Sequence, residues 1–150
     1  MKELTALLLG IIGIFFYINF VRKSLYLDKI KSSVNGNKYY VRNLPDKEKA
    51  ANKLAEIGNS LKTLIESLNE KDSEKGDYIK QLKKSFNAEY ITENIPGSVY
   101  VAYSVNKGEE LSICIREKET EKFIDNNIIV FVVIHELAHI MTPETGHTPL

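Results

Sequence analysis

The residues best suited to chemistry in this 150-residue chain are His135, Glu136 and His139, in the stretch VVIHELAHI over 132–140. Their neighbours are apolar, and ionisable or metal-binding side chains are costly to bury in such a run without partners. On a helix, His135 and His139 stand one turn apart on one face. Two neutral imidazole nitrogens so placed can meet one zinc ion at about 2.0–2.1 Å. Glu136 is rotated from His135 by about 100°, so it can reach a zinc-bound water without ligating the metal. Zinc lowers the pKa of that water towards about 7, and Glu136 can accept its proton. This is the H-E-x-x-H arrangement of zinc metalloproteases. The competing reading is a surface helix with an incidental ion pair. The apolar setting weighs against it, as does the crowding of all 3 histidines of the chain into 135–147.

A catalytic zinc needs a third protein ligand and an open position for water. His147, in PETGHTPL, is the expected ligand, with Pro143 and Gly146 letting the chain reverse after the helix. Glu144 is a rival, because carboxylate oxygen also binds zinc. A further alternative is that this chain supplies no third ligand. His147 falls eight residues beyond His139, unlike the metzincin pattern, in which the interval is six.

The element that carries the motif must be a helix for this geometry to hold. Ile128 to Ile134 is an unbroken apolar run whose β-branching favours a strand. Length, the helix formers Leu137, Ala138 and Met141, and Pro143 as terminator predict a helix over Asn126–Met141 instead. Asp125 or Asn126 can cap it. Apolar on all sides, it is expected to be central and buried. Before it comes a hairpin signal. Val99, Val101, Tyr103 and Val105 alternate with Tyr100, Ala102 and Ser104; Asn106-Lys107-Gly108 turns; Leu111, Ile113 and Ile115 return. Strand 111–116 is expected at the sheet edge beside the cleft, where a substrate peptide can add as a strand. Tyr100 or Tyr103 is a candidate oxyanion donor, although packing is the simpler role for both. Cys114 sits in this strand with no catalytic motif around it. Residues 117–122, EKETEK, read as a solvated charge run.

Further upstream, Leu54, Ile57, Leu61, Leu64, Ile65 and Leu68 recur at helical spacing and predict an amphipathic helix over 46–69 with Asp46 as N-cap. Asp77 can cap a second helix bearing Tyr78, Ile79, Leu82 and Phe86 on its apolar side. Asn94-Ile95-Pro96-Gly97 is a turn. Lys38–Arg42 is a short strand, and residues 22–37 are expected to be a linker. Leu4 to Val21 carries no charge; eighteen such residues make roughly 27 Å of helix, close to a bilayer core. No small-x-small cleavage site follows it, so a transmembrane anchor over 4–21 is preferred to a signal peptide. Arg22, Lys23, Lys29 and Lys31 follow, and the positive-inside tendency puts residues 22–150 in the cytoplasm.

Lys+Arg and Asp+Glu are balanced at 20 each, which gives no support for a nucleic-acid partner. The single cysteine, Cys114, excludes an intrachain disulfide and is compatible with a reducing compartment.

The segment HELAHIMTPETGHTP resembles the active-site segment of WLM-type zinc metallopeptidases and the related SprT-like group. In these, H-E-x-x-H is followed by a short loop and a G-H-x-P element. It is also similar to small membrane-anchored WLM-like proteins of large DNA viruses and algae. The resemblance spans roughly residues 98–150. It implies zinc held by His135, His139 and His147, Glu136 as catalytic base, and a protein or peptide substrate. It further implies an α+β, zincin-like domain over 38–150, with a short antiparallel sheet and a central active-site helix. Some relatives act on proteins crosslinked to DNA, but neutral charge and a membrane anchor weigh against that transfer. Such domains continue past G-H-x-P with an aromatic residue and a further helix. Here Leu150 follows, so a shortened product or a less covered site is expected. The alternative is a tethered, non-catalytic zinc-stabilised domain, or an adaptor that uses helix 46–69 to bind partners.

Overall fold

A computed structural model of the protein describes residues 1–105 and 108–141. Helix α1 (Lys2–Tyr26) runs directly into strand β1 (Leu27–Lys31), which turns back into β2 (Lys38–Arg42). Helices α2 (Lys47–Ser67) and α3 (Gly76–Ser85), a 3-10 turn over Ala88–Tyr90 and strand β3 (Ile91–Glu93) follow. The hairpin of β4 (Ala102–Val105) and β5 (Glu110–Ile113) then leads to α4 (Asn126–Met141). The architecture is α+β, but the sheet is not the short antiparallel one expected: it is a five-stranded mixed sheet in the order β1-β2-β3-β5-β4. The β1–β2 and β4–β5 pairs are antiparallel, whereas β3 runs parallel to both β2 and β5.

Alternation sends Tyr39 and Val41 of β2, Ile91 of β3, and Leu111 and Ile113 of β5 to one face. There they form a core with α2 and α4. The buried side of α2 is Ala50, Ala51, Leu54, Ala55, Ile57, Gly58, Leu61 and Ile65. Small residues let it lie close: a Cβ on Gly58 would stand 3.2 Å from the Ala88 carbonyl oxygen and from Ile91 Cδ1. Leu64, expected on the apolar side, is exposed. Helix α1 is 25 residues long with none buried. It is long and apolar enough to cross a membrane, a property that a signal sequence near an N-terminus shares.

Several expectations are corrected. Residues 27–31 are not linker but the edge strand β1, in register with β2 from Leu27–Arg42 to Lys31–Lys38. The turn-rich segment is the hairpin loop, closed by the Ser32 N–H donating to the Asn37 carbonyl at 2.8 Å. Asp28, Lys29 and Lys31 are poor strand formers, and they are acceptable because an edge strand faces solvent. Strand β3 was not expected at all. Strand β5 is not an edge but lies between β3 and β4; the edge strand at that end of the sheet is β4. Asp46 occupies the N-cap position of α2 without capping it, because its carboxylate is held by Arg116. Asp77 lies inside α3, whose start is organised by Asp72 accepting from the Glu74 and Lys75 N–H groups.

Candidate metal centre

Helix α4 starts where Asp125 accepts the Asn127 N–H at 2.8 Å, one of the two caps expected. Its inner stripe is Ile129, Val133, Leu137 and Ile140, at helical steps of three and four. The turn of the β4–β5 hairpin presses on its end: Gly108 has φ +108°, and a Cβ there would meet Ile140 side-chain carbons at 3.3 Å. The other side is open, which corrects the expectation of a helix buried all round. Ile128, Phe131 and Ile134 are 59%, 77% and 45% exposed. The reason is position: α4 is backed by α3, β4 and α2, so only one stripe is covered.

His135 lies on the open side, with Glu136 and His139 half-buried beside it. The Nε2 atoms of His135 and His139 are 3.2 Å apart, with ring centroids at 4.8 Å and planes nearly perpendicular at 83°. Two nitrogens bound tetrahedrally to one zinc at 2.0–2.1 Å would stand about 3.3 Å apart. The spacing is that of two nitrogens on one zinc, and equally that of one ring N–H donating to the other ring. Among the described residues, no group of three His, Cys, Asp or Glu side chains is assembled. His147 and Glu144, the two candidates for a third ligand, lie outside the described residues.

The tyrosines do not join this site. Tyr103 alternates to the sheet face away from the helices, where it and Tyr100 pack edge to face at 6.2 Å and line a cavity with Arg22. The half-buried Cys114 thiol donates to the Arg116 carbonyl at 3.1 Å. A cavity of about 520 Å³ lined by Asn59, Lys62, Phe86 and Asn87 includes no residue of α4.

A group that positions α4 was missed from sequence. Arg116 is 3% exposed. Its Nε donates to Glu93 at 2.7 Å, and its Nη atoms grip Asp46 at 2.7 and 2.8 Å. Glu93 also accepts the Arg42 N–H at 2.7 Å. Arg42 in turn forks onto Glu121, which adopts φ +58° and gives its carbonyl to Arg116 at 3.1 Å. Residues 117–122 are thus a fixed turn, with the Glu117 N–H on the Lys122 carbonyl and the Ile124 N–H on the Ile115 carbonyl. This return delivers the chain to the first turn of α4. The hydrogen bond from Arg116 holds the Asp46 carboxyl below its ordinary value. Burial pushes the Glu93 carboxyl up, and its bonds from Arg42 and Arg116 only partly offset that. No local signal marks these partners, which are 70 and 23 residues from Arg116 in sequence.

Nearly the whole chain is similar to a known viral protein. Uncharacterized protein R325 of Acanthamoeba polyphaga mimivirus is 36% identical over 148 residues, covering 97% of this chain and 75% of the relative. The chain belongs to the family of that mimivirus protein. The R325-family match is too extensive to leave out either α1 or α4. Shorter matches join it to two further viral proteins. Uncharacterized protein 042R of Invertebrate iridescent virus 3 is 38% identical over 47 residues, 31% of this chain and 29% of the relative. Uncharacterized protein 136R of Invertebrate iridescent virus 6 is 35% identical over 49 residues, 31% of this chain and 27% of the relative. No protein-family model matches the chain, and no solved structure matches it.

Proposed function

We propose that this R325-family protein is a membrane-anchored zinc metallopeptidase of WLM or SprT-like type. The observation that carries the reading is the 3.2 Å spacing of the His135 and His139 Nε2 atoms on α4, with Glu136 between them in sequence. His135 and His139 would hold the metal, with His147 as the third ligand. Zinc bound there supplies Lewis acidity and makes water a usable nucleophile near neutral pH. Glu136 takes the proton of the attacking water on its carboxylate and returns it to the leaving amine. The substrate is a protein or peptide chain, which can add as a strand to the exposed edge of β4, the strand that α4 packs against. Helix α1 is the anchor, and Arg22, Lys23, Lys29 and Lys31 place the domain in the cytoplasm. Because β1 belongs to the sheet, the domain begins at Leu27.

The test uses the full chain in detergent, with zinc measured by elemental analysis and denatured casein as substrate. About one zinc per chain is expected. A His135→Ala/His139→Ala double variant should lose it. Glu136→Gln should keep the zinc and lose about 10²–10⁴-fold in hydrolysis. Zinc-free wild type, or full activity in Glu136→Gln, would remove this mechanism. The exposed Ile128, Phe131 and Ile134 favour a second reading, a tethered binding module that holds zinc without turnover. It predicts zinc in both wild type and Glu136→Gln, and hydrolysis in neither.

A further inference from the structure

The sheet face opposite α2 and α4 carries a cationic patch that the peptidase chemistry does not use. Alternation puts Lys29 and Lys31 of β1, and Lys38 and Tyr40 of β2, on this face. Lys31 stands directly across from Lys38, and Lys29 across from Tyr40. Like charges directly opposite destabilise a strand pair. Lysines on edge strands guard against aggregation, which accounts for β1; β2 is an inner strand. Among the described residues, none of Lys29, Lys31 and Lys38 has an ion-pair partner. Asp28 faces the other way and pairs with Lys47.

The patch is continuous with the end of α1. Lys23 crosses the same face, its Nζ 5.4 Å from the centre of the Tyr40 ring, with Lys29 Nζ at 5.3 Å. Lys23 pairs with Glu110 at 2.7 Å, so it secures α1 against the sheet. Near Arg22, the exposed Val99 and Tyr100 share a cavity wall with it.

We infer that this face docks on an anionic lipid surface, the leaflet from which α1 emerges. The inference rests on reading α1 as the membrane anchor. Headgroup anions supply the counter-charge that Lys29, Lys31 and Lys38 lack, and Tyr40 and Tyr100 suit the headgroup level. Each basic residue held near an anionic leaflet gains roughly five-fold in occupancy. Docking in this way leaves α4 and its histidine pair on the far side of the sheet, open to substrates from water.

The test uses the full chain with Cys114→Ser and a fluorophore on Val34→Cys, in the β1–β2 loop. It is reconstituted into vesicles of phosphatidylcholine alone or mixed with phosphatidylserine, each with a headgroup-linked quencher. Several-fold stronger quenching in the phosphatidylserine vesicles is expected, reversed by high salt and by Lys29→Glu/Lys31→Glu/Lys38→Glu. Equal quenching in both lipids, with the chain floating on the vesicles, would overturn docking and leave the anchor standing. A chain that does not float with either vesicle would overturn both.

Discussion

Arg116 shows how much one side chain can organise at a distance. It is almost fully buried, with Glu93 on one side and Asp46 on the other, and it ties the start of α2, the end of β3 and the turn before α4 into one joint. The two acids respond to pH in opposite senses. The folded Asp46 carboxyl titrates below the ordinary value of 3.8, so the unfolded chain binds that proton more readily. Its contribution is present in full above that value and is lost as pH falls through the lower folded one. Glu93 is pushed above 4.5, so its share is present below 4.5 and fades as pH rises through the folded value. Urea midpoints measured from pH 2 to 7 should therefore carry a fall below 3.8 from Asp46, set against a rise toward acid from Glu93. Asp46→Asn should flatten that acid limb. An unchanged limb would show that Asp46 is not the group being titrated. None of this was legible in the sequence, where Asp46 looks like a helix cap. What defeats that reading is competition: a buried guanidinium takes both carboxylate oxygens, and the helix N–H groups go without them.

The elements divide by the range of the interactions that define them. The β4–β5 hairpin and helices α2 and α4 were readable because periodicity and turn residues are local signals. β3 was not, since three residues ending in a glutamate resemble no strand; parallel partners on both sides make it one. β1 failed for a related reason, because Asp and Lys on a solvent-facing edge mimic a linker. Spacing alone puts the two histidines side by side one turn apart, as on α4, but says nothing of the surroundings of α4. Apolar composition on all sides suggested a buried helix, and the fold covers only one stripe. The two sides should differ in cost. Leu137→Ala on the buried stripe should lose about 2–5 kcal/mol. Phe131→Ala on the open side should change stability by no more than about 0.5 kcal/mol. Denaturant unfolding of both variants compares them directly, and a large loss at Phe131 would mean that another surface covers it.

At the scale of the whole molecule, the sheet separates two environments. Its helical side holds the core and the histidines, and its other side meets the end of α1 through the Lys23–Glu110 pair. For the proposed cytoplasmic orientation, protease added to sealed vesicles should digest residues 27–150 when the cytoplasmic face is outward. A fragment of the domain's full size, protected until detergent is added, would reverse the proposed orientation.

Helix α1 passes into β1 at Tyr26–Leu27 with no intervening residues. A flexible tether over 22–37 would have allowed a root-mean-square reach of about 22 Å, and with it a hemisphere of search. A mast without slack allows none. With α1 as the proposed anchor and peptide hydrolysis as the proposed activity, lateral diffusion in the bilayer would become the way to scan for targets, and a scissile segment would have to arrive at one fixed height above it. Chain length between a target's own membrane attachment and its cleavage point would then select substrates as strictly as side-chain identity.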